Sequence, residues 1–168
     1  MRYTYMDSPV GELMLAGDND GLCWIGFAGG SMARRAGVDW VRDSALLPVV
    51  REQLEAYFSG QLQQFDLPLA PRLTPFQARV LDELRKVPYG TTVSYGELAR
   101  RTGNPRASRA VGMANARNPI PIIIPCHRVI GANGDLTGFG GGVDIKRQLL
   151  ALEQRYAREA PAGMAQAG

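Results

Sequence analysis

Cys126, His127 and Arg128 stand in a row within Ile124-Pro125-Cys126-His127-Arg128, and His127 is the only histidine of the chain. A thiolate is a strong nucleophile, and an imidazole or guanidinium beside a thiol makes the thiolate more accessible at neutral pH. Neighbouring side chains of an extended segment point to opposite faces, so thiol and imidazole act together only through a turn or a bridging water. A carboxylate must also orient the imidazole, and Glu153 is one candidate among several. The competing reading of Cys126 is a buried structural thiol. The other cysteine, Cys23, falls inside an apolar strand pattern and reads as core filler.

Two cysteines and one histidine cannot build a four-ligand Cys/His zinc site or a disulfide framework, which rules out structural zinc and multi-disulfide scaffolds; no metal and no cofactor are expected. At 168 residues, 45% hydrophobic and 21% charged, the composition is that of a soluble globular chain. No apolar run approaches a membrane span, and the first residues lack a signal-peptide layout, so a cytoplasmic location and no membrane partner are expected. The charge is divided unevenly. Residues 1–73 hold six arginines against nine acids, whereas residues 74–168 hold 13 basic and seven acidic side chains. Arginine supplies 17 of the 19 cations, and its planar fork suits phosphate oxygens and base edges. The basic half is therefore a nucleic-acid candidate, with a solvated basic surface as the alternative.

These side chains need elements to position them. Residues 2–28 read as a β-meander with strands over 2–6, 12–16 and 22–27, separated by Ser8-Pro9 and Asp18-Asn19-Asp20-Gly21 turns. Residues 29–43 show no period and read as a loop. Leu47, Val50, Leu54 and Phe58 share one face of a helix over 46–58, and the proline-bearing stretch 65–75 reads as a linker. Thr74-Pro75-Phe76-Gln77 opens a helix running to Val87, which Pro88-Tyr89-Gly90 ends. Ser94-Tyr95-Gly96-Glu97 opens another through Arg101, and after Thr102-Gly103-Asn104-Pro105 a slim, arginine-bearing helix spans 106–117. The pair forms a helix-turn-helix pattern, for which a plain helical hairpin is the alternative. Ile120 to Ile124, between prolines 119, 121 and 125, reads as a buried extended segment. A glycine-rich stretch over 131–142, a helix over 144–157 and a disordered tail over 158–168 complete the chain. The fold class expected is an α/β two-domain (α+β) chain. Residues 1–70 form a β-meander plus helix domain, and residues 71–157 form a mostly helical domain with the helix-turn-helix and a buried cysteine loop.

Residues 118–130, Asn118-Pro119-Ile120-Pro121-Ile122-Ile123-Ile124-Pro125-Cys126-His127-Arg128-Val129-Ile130, resemble the active-site signature of the O6-alkylguanine-DNA alkyltransferases. Val93-Ser94-Tyr95-Gly96, Ala107-Ser108-Arg109-Ala110-Val111-Gly112 and Leu149-Leu150-Ala151-Leu152-Glu153 extend the likeness through residues 74–153, while residues 1–70 resemble the family far less specifically. The resemblance implies a suicide methyltransferase that flips O6-alkylguanine, and O4-alkylthymine, out of duplex DNA from the minor groove. The alkyl group passes irreversibly to Cys126. It implies that Glu153, His127 and a water activate Cys126, that Asn118 ties the recognition helix to the cysteine loop, and that Tyr95 crowds the 3′ phosphate and faces guanine N3. Arg109 would fill the space left by the base. Ser94, Arg106, Ala107, Ser108, Asn115, Arg117 and Arg128 join it as DNA contacts, and Val129, Phe139, Gly140 and Gly141 line the base pocket. Arg100 and Arg101 add to the phosphate-binding charge. The partner implied is double-stranded DNA carrying O6-alkylguanine, met by a monomer, with cooperative clustering on DNA left open.

Phe139 stands where many members carry tyrosine, and Gly140 where some carry serine, which leaves an apolar pocket rim and only a backbone donor for O6. The rival readings are a lesion sensor that binds without transfer, a helix-turn-helix regulator, and a cysteine hydrolase of small substrates. The sensors lack the cysteine, and the small-residue helix has little to read a major groove with.

Overall fold

The computed structural model describes residues 1–28, 39–43, 48–136, 139 and 141–159. Strands β1 (Arg2–Met6), β2 (Leu13–Asp18) and β3 (Gly21–Phe27) form the expected meander, and β4 (Val41–Arg42) extends it in the order β3-β2-β1-β4. The strand β4 falls in the stretch read as a loop. It is held parallel to β1 by the register Arg2 to Val41 and Tyr3 to Arg42. Alternation in β1 buries Thr4 and Met6, whereas nearly all of β2 and β3 is buried because both faces of those strands are covered. Helix α1 (Pro48–Phe58) buries Val50, Leu54, Tyr57 and Phe58. Leu46 and Leu47 lie outside the described residues.

Helix α2 (Pro75–Leu84) starts at Thr74, whose hydroxyl accepts from the Gln77 backbone N–H. The Gln77 side chain does not return to complete a capping box, because its amide donates to the Arg117 carbonyl instead. The helix stops three residues short of Val87. Its last turn unwinds through Lys86 to Glu83 and Val87 to Leu84 bonds ahead of Pro88.

Ser94 caps α3 (Tyr95–Arg101) by accepting from the Glu97 N–H. That helix ends in a Schellman motif, with Gly103 at φ +94° donating to Arg100 and Asn104 donating to Ala99. The turn redirects the chain into α4 (Ser108–Ala116), two residues shorter at its start than the arginine-bearing pattern. Helices α2, α3 and α4 pack on one another around Val80, Leu81, Leu84, Leu98 and Val111.

Residues 120–124 are buried, as expected, but they are turns and not an extended strand. The Ile124 N–H donates to the Ile120 carbonyl, and Ile122 adopts φ +73°. That angle is costly for a β-branched residue and persists because Ile122 is itself packed in the core. Strands β5 (Val93–Ser94) and β6 (Val129–Ile130) pair in parallel. Helix α5 (Val143–Glu159) runs past the expected end at 157, so residues 158 and 159 belong to it, and the remainder of the expected tail lies outside the described residues. The two halves share one hydrophobic core. A backbone bond joins them as well, from the Ile25 N–H to the Pro119 carbonyl, while Leu22 to Pro68 and Ala70 to Leu22 bonds tie the end of the N-terminal half back to β3.

Candidate active site

Pro125 ends the buried turns, and the chain then coils into a single 3-10 turn over Cys126–Arg128, closed by the Arg128 N–H on the Pro125 carbonyl. Prolines 119, 121 and 125 remove backbone donors, so a regular helix or sheet cannot take over this segment. The turn also resolves the facing problem of consecutive residues. It points His127 and Arg128 together at Glu153, which α5 delivers from the far end of the chain.

His127 Nε2 lies 2.5 Å from Glu153 Oε2. The Arg128 guanidinium forks onto the same carboxylate, Nε to Oε1 at 2.8 Å and Nη2 to Oε2 at 3.1 Å. Tyr57 donates its hydroxyl to Oε2 at 2.7 Å, and the Gly90 N–H donates to Oε1 at 3.1 Å. Burial alone would raise the pKa of this carboxyl, but His127 and Arg128 outweigh it and hold Glu153 well below the usual carboxylate range. Burial pushes His127 down against the pull of Glu153, which keeps the imidazole neutral at pH 7. An ionised acceptor on Nε2 places the proton there, so Nδ1, which has no protein partner among the described residues, carries the lone pair.

Burial raises the Cys126 thiol to about 11, opposed by the Asn118 side chain and the Lys146 charge. Lys146 is itself fully buried on α5, donates Nζ to the Val129 carbonyl at 2.5 Å, lies 5.9 Å from the Tyr95 ring centroid and is pushed down to about 8 by burial. Asn118 fastens the loop. Its Nδ2 donates to the Ile124 carbonyl at 2.7 Å and its Oδ1 accepts from Ile120 at 3.0 Å. Cys126 opens onto a narrow cleft walled by Trp24, Ile25, Phe27, Pro121, Phe139 and Gly141.

The sequence-predicted site residues divide clearly. Cys126, His127, Glu153 and Asn118 come together, with Tyr95 half-buried alongside through Lys146. Arg106, Arg109 and Arg117 are exposed on or beside α4, and Ser94, Ala107 and Ser108 are half-buried. Arg128 was expected to meet DNA, but it is 6% exposed, with its fork on Glu153 and Nη1 on the Val87 carbonyl. Asn115, expected there too, is fully buried and donates to the Cys126 carbonyl at 3.3 Å, because it lies on the inward face of α4. Val129 was expected to line the base pocket. Its side chain is instead sealed in β6, outside the cleft, and its carbonyl is taken by Lys146. Arg100 and Arg101 are tied to Glu97. Gly140 lies outside the described residues. Cys23 is buried, with Sγ 3.6 Å from the Gly21 carbonyl, and is not among the residues that line the Cys126 cleft. No group of three metal-ligating side chains occurs among the described residues.

Residues 75–155 match the family model described as 6-O-methylguanine DNA methyltransferase, DNA binding domain, and residues 1–71 match its ribonuclease-like domain. The chain belongs to the 6-O-methylguanine DNA methyltransferase family. A methylated-DNA–protein-cysteine methyltransferase of Methanosarcina acetivorans is 52% identical over 91% of this chain and 98% of its own length. One from Mycolicibacterium paratuberculosis is 48% identical over 94% of each chain. A crystal structure of Mycobacterium tuberculosis OGT in complex with DNA superposes with a TM-score of 0.87 at 45% identity, covering all of both chains.

Within this family member, the residues that sequence reasoning missed are Tyr57, Lys146, Trp24 and Phe27. The first two looked like ordinary helix residues, and the two aromatics like strand core. Only their partners across the fold reveal them. Gly141 has a sharper signature: a Cβ there would lie 2.7 Å from the Phe139 ring and 2.8 Å from the Phe27 ring, which already pack with centroids 5.6 Å apart. Gly141→Ala is expected to push those rings into the cleft, slowing alkyl transfer about fivefold while costing about 1 kcal/mol of stability, as overpacking does. Single-turnover kinetics beside a thermal melt checks both numbers.

Proposed function

We propose that this protein repairs DNA by direct reversal, taking the alkyl group of O6-alkylguanine, and of O4-alkylthymine, out of duplex DNA onto Cys126 Sγ, one group per molecule. A buried thiol that opens onto an aromatic-walled cleft beside a carboxylate-oriented neutral imidazole carries this reading. The Cys126 thiol is protonated at neutral pH, so its proton must leave as sulfur attacks. His127 Nδ1, through a bridging water, is the base. The new bond joins Sγ to the alkyl carbon, the carbon–O6 bond breaks, and the thiol proton ends on N1 of the restored guanine. The thioether has no leaving group that water can displace, so the protein is consumed.

A base inside the stack cannot reach Sγ, and extruding it costs a few kcal/mol. The cleft holds about 20 Å³, room for one water, so its walls must part to admit a purine. The helix α4 enters the minor groove, with Arg109 filling the stack and Tyr95 crowding the phosphate. Arg106 and Arg117 neutralise phosphates. The protein acts as a monomer in the cytosol, with clustering along DNA as a further property to be measured.

Mixing the protein with one equivalent of duplex carrying a single O6-methylguanine is expected to raise its intact mass by roughly 14 Da, a methyl replacing the thiol hydrogen. Peptide mapping should place the gain on Cys126 and leave Cys23 free, and a second equivalent of DNA should add nothing. Tight lesion binding with no gain in mass would mark a sensor, and no binding would return the small-substrate hydrolase.

A further inference from the structure

Met113 is 48% exposed, one of four large hydrophobic side chains so placed among the described residues. It lies on the outward face of α4, whose inward face is Val111, Ala114 and Asn115. Along that outward face Arg109 precedes it by four residues and Arg117 follows it by four, so each arginine lies about 6 Å away along the helix axis. Ala110 beside it is exposed and Gly112 has no side chain, so Met113 is the tallest apolar projection of the face. Arg106, Arg109 and Arg117 form no ion pair among the described residues, whereas Arg100 and Arg101 on the preceding helix are both tied to Glu97. The face therefore offers unpaired cations around one flexible thioether.

A polyanion satisfies the cations, but the thioether requires an apolar surface between the charges. The minor groove of duplex DNA has that arrangement, phosphate rims on either side of deoxyribose and base edges. Proteins that open it commonly insert Met, Leu, Ile or Phe between base steps. We infer that Met113 is an apolar wedge that packs against the sugars and base edges of the minor groove one helical turn from Arg109, and so holds the duplex in its opened, base-extruded form. This rests on the alkyl-transfer reading. Met113 is a positioning residue, since it lies outside the Cys126 cleft.

Met113→Ala is expected to raise the duplex concentration giving half-maximal single-turnover transfer about fivefold, the loss of part of a buried methionine contact. Met113→Leu should retain most of the affinity. Because no charge is lost, the salt dependence of binding should keep its slope in Met113→Ala, while Arg117→Ala should lower that slope by about one. Transfer from the free base O6-benzylguanine, which needs no duplex, should be equal in Met113→Ala and the unsubstituted protein, and their thermal midpoints should agree. If Met113→Ala matches the unsubstituted protein on duplex, or loses as much on the free base, the inference falls alone. If the unsubstituted protein takes no alkyl group from duplex DNA, the functional reading falls and this inference with it.

Discussion

Glu153→Gln is expected to lower stability by about 3 kcal/mol, because removing one partner of a buried ion pair strands the other charge. Glu153 accepts from Tyr57, Gly90, His127 and both ends of the Arg128 fork, and it is fully buried. A glutamine fills the space but turns one acceptor into an NH2 group facing donors. For a chain of this size the thermal midpoint should drop by roughly 6–12 °C. Transfer should slow as well, since the amide no longer fixes the proton on Nε2 and leaves Nδ1 uncertain as the base.

The acid limb of the stability curve tests the same carboxylate. Glu153 has a folded pKa below its ordinary 4.5, so its contribution is complete above that value and is lost as pH falls through and below it. His127 has a folded pKa below its ordinary 6.5, so the unfolded chain takes up that proton first and stability begins to fall below pH 6.5. Both slopes run in one direction. Denaturant midpoints between pH 7 and 3 should fall steadily for the unsubstituted protein and more shallowly below pH 4.5 for Glu153→Gln. Equal slopes would mean that the Glu153 carboxyl titrates normally in the folded protein.

Lys146→Met should separate activity from stability. The buried ammonium helps to hold the Cys126 thiol down, and a nearby opposite charge is worth one to three pKa units, so its loss should slow transfer about a hundredfold at pH 7. Stability should stay within about 1 kcal/mol, because the bond to Val129 is lost while the cost of burying the charge is relieved. That cost has its own pH signature. Lys146 has a folded pKa of about 8 against an ordinary 10.5, so the penalty is full below pH 8 and disappears as pH rises to 10.5. Rate constants and melts of the two proteins at pH 7 and pH 9.5 measure both effects, and an unchanged rate at pH 7 would remove Lys146 from the activation of Cys126.

Much of this was legible in the chain itself. Thr74-Pro75 and Ser94 mark helix starts because a hydroxyl that can cap is a local property, and Gly103 marks the turn because few other residues accept its backbone angle. The meander follows from alternation and turn residues in the same way. Cys126 and His127 declared their chemistry by residue type, and the likeness over residues 74–153 gave that chemistry a direction and singled out Glu153 from the other carboxylates.

What the chain could not declare is the side to which each polar group turns. Arg128 and Asn115 have the composition of DNA contacts, yet a 3-10 turn and the inward face of α4 bury both and make them supports of the cysteine loop. Tyr57 and Phe27 belong to the half whose sequence says least about function, yet they reach Glu153 and the cleft from across the fold. Helix caps, turns and strand alternation are decided within a few residues, so sequence by itself determined them. The Glu153 network and the cleft join groups far apart in the chain, and only the packing of the two halves into one core decided which of them meet.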